Sequence, residues 1–453
     1  MTDVRLPLRG LLPFATGSVG MGVWVTVPGL LLLYFMTDVL AVAPLLAGFA
    51  LLVPKIADVV LHPWVGRRSD ADLARHGHRR RLLLLGCGLA VAFAVLFAVP
   101  PGLRGPGAAL WVAVAFIAGN LLFAAYQVPY LSTPADLAIG YHERTRLMGF
   151  RMVVLTVGIL LSGVAAPLLA GAGYGTMGVV LGAVTLAAML VGVAGVTRLT
   201  RAAPLTPAQP SHGGLLTALR DRQFRALVTA YLAMSTTTHL VLAAVPYYTE
   251  YELHRPALTT VLVAAFVAPA IVTTPLWVAF ARRFGKQRGL LAAQLTFVGG
   301  SLVLALGATA GLVVLVAAVA MLGVAFAAMQ LLPFSMVPDV IAAAGPDGPA
   351  KAGGYTGVWT AADALGGALG PYVYAVCLAA GGFVASSSDD PAPQSSSALL
   401  AVRLGFGLVP AAFMLAAILI QRRYTLDTAA RPAGAGGGPG GLVRAGEAGE
   451  PTG

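Results

Sequence analysis

Long apolar runs separated by short polar breaks organise this chain, and the runs set its elements. Residues 10–37, 152–197 and 289–338 contain no Asp, Glu, Lys or Arg. A membrane-spanning helix needs about 20 apolar residues, so the latter two windows hold two spans each. A transmembrane barrel would instead show alternating strands of about 10 residues. The pattern predicts an all-α integral membrane protein with twelve spans, near 11–37, 44–66, 82–101, 108–134, 148–172, 175–197, 224–248, 258–281, 289–310, 312–338, 354–381 and 400–421. The polar breaks give the domain organisation. A six-helix bundle occupies 1–197, a central cytoplasmic loop 198–223, a second six-helix bundle 224–424 and a tail 425–453. The Gly/Pro/Ala-rich tail has no periodicity and reads as disordered. "SSSDDPAPQSSS" (386–397) reads as an exposed outer loop.

Composition agrees with the pattern. Of 453 residues, 58% are hydrophobic and 10% charged, against about 25% charged in soluble domains. The 55 glycines suit lipid, where small residues let helices approach closely. The net charge of +11 changes meaning once it is placed along the chain. With a cytoplasmic N-terminus, 24 of the 29 Lys and Arg fall on the cytoplasmic side, three outside (Arg104, Arg255, Arg403) and two (Lys55, Arg151) within spans. That bias predicts a multi-pass protein of the inner (plasma) membrane with both termini cytoplasmic. The basic runs "RRSDADLARHGHRRR" (67–81) and "RRFGKQR" (282–288) then set topology, and no nucleic-acid partner is expected. The N-terminal apolar stretch is too long for a cleavable signal. Cys87 and Cys377 fall within spans and read as small buried residues.

The chain repeats itself across the central loop. Thr37, Asp38, Pro44 and Pro63 recur as Thr249, Glu250, Pro256 and Pro275, at an offset of 212. "AAYQVPYLSTPAD" (124–136) resembles "AAMQLLPFSMVPD" (327–339). Two parallel six-helix repeats resemble the layout of the major facilitator superfamily, whose halves rock around a central site.

Within the second span, "VPKIADVVLHPW" (53–64) carries Lys55, Asp58 and His62. Spacings of three and four put them on one helix face. A charge at the bilayer centre costs about 2.5–3.5 kcal/mol on insertion scales, so such groups are paired or line a wet path. One reading is a neutralised pair that fixes helix packing. The other is a coupling site, since a carboxylate beside an imidazole suits a proton better than Na⁺. Asn120, Tyr126 and Gln127 give the fourth span polar groups, "STTTH" (235–239) the seventh, and Gln330, Tyr355, Trp359 and Asp363 the tenth and eleventh. Each reads as a helix–helix hydrogen bond or as a solute contact. Trp24 faces either the cavity or lipid. Asp136 and Asp339 end spans beside basic loops and read as structural ion-pair partners. No phosphate loop, zinc-ligand spacing or nucleophile elbow occurs, so an enzyme is not expected. No cofactor is expected beyond H⁺ or Na⁺ as coupling ion.

"YFMTDVL…VPKIADVVLHPWVG", "QVPYLSTPADL…HERTRL…FRM" (127–152) and "SMVPDVI…GGYTGVWTAADALGGALG" (335–370) resemble the melibiose-permease-like branch of the major facilitators, the glycoside–pentoside–hexuronide:cation symporters. The resemblance implies a cation-coupled sugar or glycoside transporter. It places Asp58 at the first cation-binding carboxylate and His62 where a second carboxylate is usual. It places Gly22 at a first-helix Asp, Gln127 at a fourth-helix Asp and Arg151 at a sugar-contacting Arg. Ala364 stands where an eleventh-helix Lys is usual, with Asp363 beside it. Both sites are thinned, so the chain is expected to couple to H⁺, or weakly, through Asp58, Lys55 and His62. Arg151, Gln127, Tyr126, Trp24, Trp359 and Asp363 are the expected solute contacts. The expected partners are a small-molecule solute and the lipid bilayer, with the chain a monomer. Two alternatives stay open: an H⁺-linked exporter of an apolar or amphiphilic metabolite, and a non-transporting membrane sensor on a transporter scaffold.

Overall fold

The computed structural model describes residues 6–137, 139, 141–202, 215–343, 348–387 and 392–425. The tail from 426 and most of the central loop lie outside the described residues. Twelve long helical segments account for nearly everything else. The first half contains α1 (Leu8–Val27), α2 (Pro44–His76), α3 (Arg80–Phe97, interrupted at Cys87–Gly88), α4 (Gly105–Asp136), α5 (Tyr141–Ala170) and α6 (Tyr174–Ala202). The second contains α7 (Arg222–Tyr247), α8 (Leu258–Phe284), α9 (Lys286–Leu304), α10 (Leu312–Ala343), α11 (Gly348–Ala380) and α12 (Ser396–Gln421). Eleven of these segments are long and apolar enough to cross a membrane. The remaining one, α9, opens on polar Lys286–Gln287–Arg288 and packs between α10 and α12.

The repeat seen in the sequence has matching local structure. A π-helical turn extends α1 at Phe35–Val39, and another extends α7 at Tyr248–Glu252. Each is followed by a non-glycine residue with positive φ, Ala41 (54°) and His254 (52°). Paired prolines lie inside α4 at Pro129 and Pro134 and inside α10 at Pro333 and Pro338, each removing a ladder donor. The basic segment 67–76, expected as loop, continues α2 as helix. It holds no Gly or Pro, and Asp72 and His76 pair at i, i+4, which supports helix. The turn comes at Gly77 (φ 70°), a left-handed C-cap. Gly285 (φ 95°) makes the matching turn between α8 and α9.

These turns define the basic face of the molecule. Arg79 Nε lies 2.8 Å from Asp136 at the end of α4, and Lys286 Nζ lies 2.5 Å from Asp339 in α10. The two pairs are equivalent by the repeat. Burial opposes the charge on Arg79, but Asp136 and Asp70 outweigh it and hold the guanidinium above its ordinary pKa. Around this face the named bonds stay inside one half: Arg79–Asp136, Arg198–Arg9, Lys286–Asp339, Tyr355–Asp221 and Gln223–Thr425.

The halves are bonded to each other at the opposite rim. Ala41 N donates to Ser386 O (2.9 Å) and Ser386 N to Thr37 O (2.7 Å). Leu40 and Ser387 form an antiparallel bridge. Thr37 and Tyr247 share a 2.7 Å hydroxyl contact, and the Tyr251 hydroxyl donates to Asp38. Arg104 reaches Ser387 Oγ at 3.3 Å. The segment 386–387, expected as part of a free outer loop, is thus a clamp on the first half.

Candidate functional site

Two polar groups sit at membrane depth. The first lies between α2 and α4. Asp58 is 2% exposed; its Oδ2 takes Lys55 Nζ at 3.4 Å, and its Oδ1 is buried without a partner. Lys55 Nζ is also 3.5 Å from Asn120 Oδ1 and 5.4 Å from the Phe116 ring. His62 places Nδ1 at 2.9 Å from the Asp58 carbonyl oxygen and Nε2 at 3.1 Å from Gln127 Oε1. The predicted helical face is therefore real, and it meets Asn120 and Gln127 on α4.

A chain of contacts leads from this group into α1. Asn120 Oδ1 also accepts the Trp24 indole N–H at 3.2 Å. Trp24 is packed among Phe93, Phe116 and Phe123, with Gly119 leaving room for its ring. It faces neither the cavity nor lipid. Tyr126 is likewise away from the cavity. It is fully buried, donates to Met189 O (3.3 Å) and fills the crossing where Gly17 meets Gly192. Both expected contacts are placed by the large rings that a glycine-lined crossing admits, and each acts in helix packing.

At Gly22, a Cβ would stand 2.9 Å from Ile159 N. The backbone of α5 therefore occupies the space a first-helix carboxylate would need. Arg151 is buried on α5 beside Tyr130; its Nη1 contacts Met152 Sδ at 3.5 Å, and its Nε has no partner. The two carboxylates that end spans beside basic loops pair elsewhere, Asp136 with Arg79 and Asp339 with Lys286.

The second group faces the cavity between the halves, about 100 Å³ in volume. Its wall combines Thr26 and Ile159 of the first half with Tyr231, Ser235, His239, Phe266, Phe326, Gln330 and Asp363 of the second. "DALGGALG" (363–370) explains the arrangement. Gly366 and Gly370 would meet Ser235 Oγ and Leu240 N at 2.3 and 2.6 Å if they carried a Cβ, so α11 lies directly on α7. One turn earlier, Asp363 Oδ1 accepts the Tyr231 hydroxyl (2.9 Å) and Ser235 Oγ–H (3.2 Å). Trp359 stacks on Tyr231 with centroids 4.0 Å apart, behind the wall; its indole N–H is buried without a partner. His239 Nδ1 lies 2.9 Å from Ser235 O. Tyr231 was not singled out by sequence reading, although it precedes Ser235 and His239 at helical spacing.

The sequence model of the family described as MFS/sugar transport protein matches residues 13–428. An uncharacterized symporter of Synechocystis sp. is 23% identical and covers 94% of this chain and 95% of its own length. The isoprimeverose transporter of Lactiplantibacillus pentosus is 24% identical, over 86% of this chain and 83% of its own. Among solved structures, a bacterial homolog of the human lysosomal transporter Spinster superposes with TM-score 0.70, at 14% identity over 93% of this chain and 97% of that one. The nucleoside transporter NupG superposes with TM-score 0.65, at 12% identity over 91% and 98%. These two likenesses carry the fold alone.

Proposed function

Because the chain belongs to the MFS/sugar transport protein family and is a transporter of the major facilitator fold, we propose that it moves a small solute through the central cavity by alternating access, coupled to protons at Asp58. The observation that carries the reading is the pairing of Asp58. Among the described residues its ion-pair partner is Lys55, and Lys55 also lies within reach of Asn120 Oδ1. Protonating Asp58 releases the ammonium toward Asn120, which is bonded to Trp24 on α1. A proton at one carboxylate thus changes the bonding among α1, α2 and α4. Na⁺ is a poorer fit, because it needs several oxygen ligands and the Lys55 ammonium occupies the approach.

The name of the isoprimeverose transporter supports a sugar or glycoside as solute. The largely apolar wall, with Val263, Phe266 and Phe326, favours a second reading, proton-linked export of an amphiphilic metabolite. We place the basic face in the cytoplasm, so that the bonded rim is the outer gate and the arrangement is the inward-facing arm of the cycle.

Two measurements test this. In sealed cells, cysteines introduced at 78 and 287 are expected to react with an impermeant maleimide only from the cytoplasmic side. Labelling of either from outside would reverse the topology. In proteoliposomes, uptake from a panel of labelled sugars is expected to rise with an imposed ΔpH and to ignore Na⁺. Strict Na⁺ dependence would refute the proton assignment, and efflux that runs only when an inward proton gradient drives it would select the exporter.

A further inference from the structure

Asp363 is a membrane-depth carboxylate, and among the described residues no cation pairs with it. Its Oδ1 accepts from Tyr231 and Ser235, and no donor from the described residues reaches Oδ2. The side chain is exposed on the cavity wall. No Lys or Arg is among the described residues of that wall. Lys55 is bonded to Asp58, and Arg151 sits against Tyr130 and Met152, off the wall. His239, the one basic side chain lining the cavity, points its Nδ1 at a backbone carbonyl. A carboxylate at this depth is tolerated where it lines a wet cavity, and there it gives the wall a negative charge that the described lining does not balance. Tyr231 and Ser235 hold it in place without neutralising it. The nearby wall includes the rings of Tyr231, Phe266 and Phe326, and aromatic rings attract cations.

We propose that the solute taken by this cavity carries a positive charge, as a protonated amine or quaternary ammonium on a small body with an apolar face, and that Asp363 is its counter-ion. The proposal rests on the central cavity being the transport site. It names a substrate class and assigns Asp363 as the residue that selects it. Tyr231 and Ser235 act as positioning residues, fixing Oδ1 so that the other carboxylate oxygen is free for the ligand.

The test compares two matched pairs, glucosamine against glucose and choline against its uncharged isostere 3,3-dimethylbutan-1-ol. Binding to the purified full chain is followed by quenching of Trp and Tyr fluorescence, and accumulation is followed separately in proteoliposomes. In at least one pair the cation is expected to bind about tenfold or more tightly, the size of a charge-assisted contact. Asp363→Asn is expected to erase that preference, Asp363→Glu to retain it, and Tyr231→Phe to keep the preference while weakening both members of the pair. A preference absent from both pairs, or one that survives Asp363→Asn, overturns the proposal. Loss of proton-driven accumulation in Asp363→Asn with no cation preference in the parent also overturns it, and makes Asp363 a proton site. The two readings fail separately. Accumulation of the neutral members alone leaves transport standing and removes the charge selectivity. Cation binding without accumulation under any gradient leaves the site standing and removes transport.

Discussion

Proteoliposomes carrying Asp58→Asn are expected to exchange labelled solute across the membrane but not to concentrate it under an imposed pH gradient. One pH unit stores about 1.4 kcal/mol per proton, enough for about tenfold accumulation at one proton per solute. The variant should settle near equality. The asparagine keeps the shape of the side chain and its place on α2, so the cavity is untouched. It removes the carboxylate that pairs with Lys55 and can take and release a proton. Leaving Lys55 without its carboxylate destabilises the bundle, since breaking a buried pair is costlier than removing it whole. The double variant Lys55→Met/Asp58→Asn separates the two effects. If either variant still concentrates solute as the parent does, Asp58 is half of a structural pair and coupling lies elsewhere.

The second large effect is on assembly. Gly323→Val on α10 places a Cβ 2.0 Å from the Phe266 carbonyl oxygen on α8. The obstacle is main chain, so no rotamer change relieves it, and the two helices must separate. The expected cost is at or above the top of the range of about 1–3 kcal/mol seen for overpacked sites. It should appear as a large loss of monodisperse protein in detergent and a lower melting temperature. Gly299→Ala on α9 is the control. Nothing lies within 4 Å of its added methyl, and Ala is the better helix former by about 0.5–1 kcal/mol. Equal behaviour of the two variants would mean that α8 and α10 do not pack at Gly323.

How much of this could be read from the sequence follows from where polarity stands out against an apolar ground. Lys55, Asp58 and His62 were legible because charge within a span is conspicuous and 3.6-residue periodicity fixes their common face. The partners of Asp136 and Asp339 were legible in kind, since an acid ending a span beside a basic loop has few other uses. Trp24 and Tyr126 were not. In a membrane helix the faces toward lipid and toward protein are both apolar, so amphipathicity does not tell them apart. What places those two rings is the glycines opposite them, Gly119 on their own helix-pair seam and Gly17 with Gly192, which become meaningful only once the crossings are known. Tyr231 was missed for the same reason: its role depends on Gly366 and Gly370 bringing α11 onto α7. The rim was illegible because two of its five named bonds are main chain and carry no residue signature.

That last property has a use. The hydrogen bonds from Ala41 N to Ser386 O and from Ser386 N to Thr37 O span the two halves, whereas helical amides are protected whichever way the protein faces. These two protons are therefore sheltered only while the rim is shut. Their deuterium uptake is a clock for rim opening, one that needs no label, no cysteine and no knowledge of the solute. Side-chain substitutions at Leu40 or Ser387 would leave the two bonds in place, so the clock would keep its hands while the rest of the gate is dissected.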